Sequence, residues 1–186
     1  MIIAREKRKS NIVEYILYMW NVEDILRSVK LNMAEVERLI VSQYDVDEKV
    51  KTEIKQWYSN IVDEMKDNRL QEKGHIEDIV ELISELNMLH QSLLHLYIDN
   101  QYTALFDKAE NNIKALSEKS KVKNITPIEA GLNGLYGIML LRMKKKNIST
   151  ETNESIKTIS DLMALLSIRY REMKSGNLHL NFERKN

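Results

Sequence analysis

The stretch Asn11–Leu26, NIVEYILYMWNVEDIL, sets the terms on which this chain can fold. A surface helix turns about 100° per residue and keeps one apolar face. Here Ile12, Val13, Tyr15, Ile16, Leu17, Tyr18, Met19, Trp20 and Val22 cover almost the whole circumference. Such a helix has to be enclosed on several sides, so it is expected to be central. It is expected to start between Ala4 and Ser10 and to run to about Lys30. After Val22, a charged face of Glu23, Asp24 and Arg27 separates from an apolar one of Val22, Ile25, Leu26 and Val29. That second half is expected to be half-exposed. Glu14, Asn21 and Ser28 recur every seven residues and form one polar line along an otherwise apolar helix.

Five glycines and one proline among 186 residues argue for helices, because all-β folds need many turns. The length suits one domain with a sizeable core. Basic and acidic residues balance at 28 each, so the basic excess typical of nucleic-acid binding is absent. With no cysteine, disulfides, thiol catalysis and iron–sulfur clusters are excluded. Arg5, Lys7, Arg8 and Lys9 before an apolar run imitate a secretion signal. Glu14 interrupts that run, however, and no small-residue cleavage site follows. No uncharged stretch is long enough to span a bilayer. The expectation is a cytoplasmic protein.

Further helices follow from caps and spacing. Asn32 with Glu35 has the pattern of a capping box, with Val36, Leu39 and Ile40 buried behind it. Asp45 is read as the next cap, before Val50, Ile54, Trp57, Ile61 and Met65, and Gly74 as that helix's stop. Ile76 to Tyr97 makes a long seam, widened by Val80, Leu82, Leu89, Leu94 and Leu96, with a bend at Asp99–Gln101. Tyr102 to Leu116 gives a fifth helix. Thr126-Pro127-Ile128-Glu129 is the clearest helix start in the chain. A last helix from near Thr150 buries Ile156, Ile159, Leu162, Met163, Leu166, Tyr170 and Met173, and Gly176 ends it. Residues 177–186, with Leu178, Leu180 and Phe182 alternating, form a tail that either packs as an extended segment or is disordered. The prediction is an all-α, single-domain bundle over 1–186, with six or seven helices and a central N-terminal one.

Ile3, Ala4, Lys7, Arg8, Asn11, Ile12, Glu14, Tyr15, Leu17, Tyr18, Met19, Trp20, Val22, Glu23 and Asp24 carry a resemblance. Over residues 1–27 the chain resembles an uncharacterised bacterial family of all-helical proteins, a domain of unknown function. The resemblance implies a helical protein and brings no catalytic residue with it.

Candidate sites come from three features. Gly131, Gly134 and Gly137 share one side of the sixth helix at a cost of roughly 2–3 kcal/mol in helix propensity. Either close packing, with Asn11–Leu26 as the plausible neighbour, or a binding groove would offset that. Glu14 and Asn21, with Tyr18 nearby, mark a possible buried polar site. A carboxylate there either serves as an acid or base or pairs structurally. His90 sits in the long seam, where a histidine normally has a hydrogen-bond partner in the core. No metal site or cofactor is expected, because no histidine pair stands at ligand spacing and His95 lies about 140° around the helix from His90.

Arg69 and His75 in RLQEKGH match the loose Arg-x(4–6)-His pattern of helical nucleases resembling the HEPN group, which cleave RNA from a dimer interface. Residues 26–42 have the rhythm of a helix-turn-helix. Its would-be recognition helix, within Ala34–Ser42, sets Glu35 and Glu37 against Arg38, which opposes phosphate binding. The leading expectation is a non-enzymatic binding or scaffold protein that acts through self-association, as a homodimer for instance, or through a protein partner. The RNA-cleaving dimer and the DNA-binding regulator are the alternatives, with no membrane role.

Overall fold

The α2 helix (Ile12–Ser28) buries Ile12, Val13, Tyr15, Ile16, Met19, Trp20, Val22, Glu23 and Leu26. In this computed structural model, which describes residues 2–120 and 124–178, it lies against α5 (Glu77–Gln91), α7 (Pro127–Met143) and α8 (Thr150–Lys174). α8 is equally central, touching α2, α5, α6 (Asn100–Lys119) and α7. A short α3 (Met33–Leu39) packs on α4 (Glu48–Asp67) to one side of this group. The described residues form a single all-helical domain.

Among the described residues the helix count is eight against the expected six or seven, and the extra break is at Asn11. Its backbone is extended, and its side chain accepts from Glu14 N at 3.1 Å. The cap ends α1 (Ile2–Ser10) and starts α2. Buried Ser167 on α8 then takes the next orphan donor, Ile12 N, at 3.0 Å. A side chain more than 150 residues away thus finishes what Asn11 begins.

Local signals read well elsewhere. Thr126 and Glu129 form the reciprocal capping box that starts α7. Asn32 caps α3, but Glu35 turns outward to Arg38 instead of closing a box. Asp47, not Asp45, caps α4 by accepting from Val50 N at 2.9 Å. α4 stops at Asp67 with Arg69 in the left-handed region (φ 56), so the turn is made before Gly74 is reached. The expected bend at Asp99–Gln101 comes earlier, as a π-helical turn at Ser92–Leu96 followed by Ile98 at φ 49. Asp99 caps α6 and also accepts from Arg169 Nε at 2.6 Å.

Several apolar residues assigned inward face solvent: Leu39, Val80, Leu96 and Met173 are exposed, and Trp57 is only half-buried beside buried Tyr58. Leu178 packs on the core. The rest of the predicted tail lies outside the described residues.

Candidate functional site

The carboxylate that α2 buries is Glu23, not Glu14. Glu14 is exposed and pairs with Lys7 at 2.8 Å, and Asn21 is half-buried. The Glu14–Asn21–Ser28 line is a solvent-side line. Glu23 is fully buried. The sequence contained a signal for this: Glu23 follows Ile16 by seven residues and precedes Leu26 by three, which places it on the core stripe.

Around Glu23 the chain assembles Trp20, Asp24, Arg27, His75 and Tyr136. Glu23 Oε2 lies 2.6 Å from His75 Nδ1, and Oε1 accepts from Ile76 N at 2.9 Å. The His75 ring stacks on the Trp20 indole, with centroids 4.7 Å apart. Tyr136 meets the indole edge-on, with centroids 5.5 Å apart, and donates to Asp24 Oδ2 at 2.6 Å. Burial, and then that bond to Asp24, raises the Tyr136 phenol pKa, so the hydroxyl keeps its proton. Arg27 donates from Nη1 to Asp24 at 2.9 Å, from Nε to Leu70 O at 3.0 Å, and from Nη2 to Gly74 O.

A buried acid holding one histidine nitrogen is also how a general base is oriented. Here the hydroxyl in the group, that of Tyr136, is donated to Asp24, and among the described residues no hydrogen bond joins His75 to a serine or threonine. Instead Glu23 and Arg27, one turn apart, hold the segment between α4 and α5 at Leu70, Gly74, His75 and Ile76. The arrangement is a clamp that fixes this loop on α2.

His75 therefore has Glu23 and Trp20 as neighbours. Arg69 is exposed at the end of α4, and no hydrogen bond or ion pair joins it to His75. Within 26–42, Arg38 is paired with Glu35 at 2.6 Å, and Glu37 with Lys55 at 2.8 Å. Tyr18 is half-buried, and burial and Tyr44 push its pKa up to about 12. His90 is enclosed, with Nδ1 2.8 Å from the Tyr102 hydroxyl.

The three glycines divide between the two readings. A Cβ on Gly131 would collide with Met163 Cε and stand 3.3 Å from Ile159 Cγ2. A Cβ on Gly134 would stand 2.5 Å from Leu116 Cδ1 and 3.5 Å from Ile156 Cδ1. Both are close-packing glycines, but their neighbours are α6 and α8 rather than α2. Gly137 meets nothing within 4 Å and opens into a groove. Replacing Gly134 by leucine is expected to cost about 1–3 kcal/mol, because the added atoms overpack the contact of α7 with α6 and α8. Chemical denaturation measures this, and an unchanged midpoint would mean that Leu116 swings away freely.

Among the described residues no helix is long and apolar enough to cross a membrane, and no three His, Asp or Glu side chains are grouped to hold a metal ion. A family model described as a domain of unknown function, DUF4924, matches residues 1–177. No curated protein and no solved structure matches the chain.

Proposed function

The chain belongs to the DUF4924 family, and we propose that it is a non-enzymatic, cytoplasmic binding protein that holds an apolar segment of a protein partner. The observation that carries this is the groove of about 590 Å³ between α6, α7 and α8. Its lining is mainly apolar, from Leu116, Ile125, Leu140, Leu141 and Ile156, with the bare backbone of Gly137 among them. Apolar surface costs about 25 cal/mol per Å² when left in water, and contiguous exposed patches mark interaction sites. The charged lining residues are Lys119 and Lys144, and none is acidic. The matching ligand is an amphipathic helix with apolar residues at three- and four-residue spacing, flanked by Asp or Glu.

Gly137→Leu is the decisive variant. Its Cβ meets nothing within 4 Å, so the side chain enters the groove, and it gains about 0.5–1 kcal/mol of helix propensity. Selection from a display library of helical peptides is expected to enrich apolar sequences with acidic flanks. Their affinity should fall at least tenfold in Gly137→Leu and in Lys144→Glu, with unfolding temperatures not lowered. No enrichment, or binding indifferent to both substitutions, would overturn the proposal. Light scattering of the protein alone adds a third arm. A dimer that dissociates in Gly137→Leu would assign the groove to a second copy.

The RNA-cleaving and DNA-binding alternatives draw less support. His75 is occupied by the clamp, Arg69 stands apart from it, and the charges of the short α3 are already paired with one another and with α4.

A further inference from the structure

A second cleft, of about 450 Å³, lies between the end of α1, the first half of α5 and the end of α8. It is polar where the groove is apolar. α5 contributes Asp78, Glu81 and Glu85 from one face, at helical spacing. α1 contributes Arg8 and Lys9, and α8 contributes Arg171 and Lys174. Ile12 and Leu82 add apolar lining, and the Ser167 hydroxyl there accepts from Ile12 N.

The outer pairs are saturated. Arg8 binds both oxygens of Asp78, at 2.6 and 2.7 Å, and the Tyr15 hydroxyl adds a third bond at 3.1 Å. Glu85 accepts from Lys174 at 2.8 Å and from the Tyr170 hydroxyl at 2.5 Å. Those two donors hold its carboxyl below the usual range, so it stays ionised and engaged. The remaining charges are not saturated. Lys9 and Glu81 have no ionic partner among the described residues, and Arg171 makes one long bond, 3.4 Å, to Ser10 O. The cleft therefore presents the Glu81 carboxylate, the Lys9 ammonium and the weakly held, ionically unpaired Arg171 between two internally neutralised pairs.

We propose that this cleft binds a small zwitterion of the α-amino-acid type, with its ammonium group on Glu81 and its carboxylate on Arg171 and Lys9. A ligand with both charges compensates both unmatched sets at once. A simple anion would leave Glu81 facing it, and a simple cation would leave Arg171 and Lys9. The volume is within the range of small-molecule sites. The Tyr170 ring, fixed by its bond to Glu85, adds apolar surface beside the charges. This site is independent of the α6–α8 groove.

The test is an amide-resonance titration of the whole protein with each of the twenty free amino acids, and with acetate and methylammonium as single-charge controls. At least one amino acid is expected to shift resonances of α5 and α8 around the cleft. Its dissociation constant should rise at least tenfold in Glu81→Gln and in Arg171→Gln. Both side chains are exposed, so the substitutions leave the core intact. Glu53→Gln, exposed on α4 and outside the cleft, should bind as the parent does. The proposal is overturned if no amino acid shifts these resonances, if acetate alone reproduces the shifts, or if either cleft substitution leaves the affinity unchanged.

Discussion

Replacing Glu23 by alanine is expected to destabilise the protein by about 1–3 kcal/mol, the cost of leaving a buried donor without its acceptor. The carboxylate is wholly enclosed and takes two hydrogen bonds from the segment before α5. Without it, Ile76 N–H is left unsatisfied in the interior, and His75 keeps only its stacking on Trp20. Arg27 retains Asp24 and its two carbonyl acceptors, so it alone would hold the loop. Urea denaturation gives the loss, and amide exchange should show residues 68–76 opening first. Glu23→Gln should fall between parent and alanine, since an amide oxygen can still accept from Ile76 N. A loss below about 1 kcal/mol with unchanged protection of 68–76 would mean that packing, not the clamp, holds the segment.

Stability is also expected to fall on acidification through His90. Burial, with a smaller contribution from His95, pushes the His90 pKa from 6.5 down to about 4. The folded protein keeps this imidazole neutral, with Nδ1 2.8 Å from the Tyr102 hydroxyl and the ring in edge contact with Tyr102 and Phe106. The unfolded chain takes up a proton below about pH 6.5. The contribution is therefore complete above that pH and is lost as pH falls towards 4, on the order of 3 kcal/mol in all. Denaturation midpoints measured from pH 7 to pH 4 report the slope. His90→Gln should flatten it, because an amide can accept from Tyr102 without titrating. A slope unchanged in that variant would assign the acid sensitivity to other groups.

What could be read from the sequence was what depends on near neighbours in the chain. The Thr126–Glu129 capping box, the cap at Asn32 and the stop at Gly176 all act within a few residues. The burial of α2 followed from its composition alone. Errors came where a partner lay far away. Glu14 and Glu23 are both acids on an apolar helix. One is exposed beside Lys7, and the other is buried because a loop some fifty residues on supplies its donors. His75 looked like half of an Arg–His pair because sequence spacing was the only geometry at hand; Glu23 claimed it.

The sequence by itself determined an all-helical chain, the centrality of Asn11–Val22, most helix starts and membership signals over residues 1–27, because periodicity and capping are properties of consecutive residues. The tertiary structure decided which face of α2 turned inward. It also decided that Gly131 and Gly134 serve packing while Gly137 opens a groove, and which charges were left unpaired between α1, α5 and α8. These outcomes depend on where separate helices come to rest against each other. That is fixed by the fit of whole side-chain surfaces in a close-packed interior, which spacing along one helix does not encode.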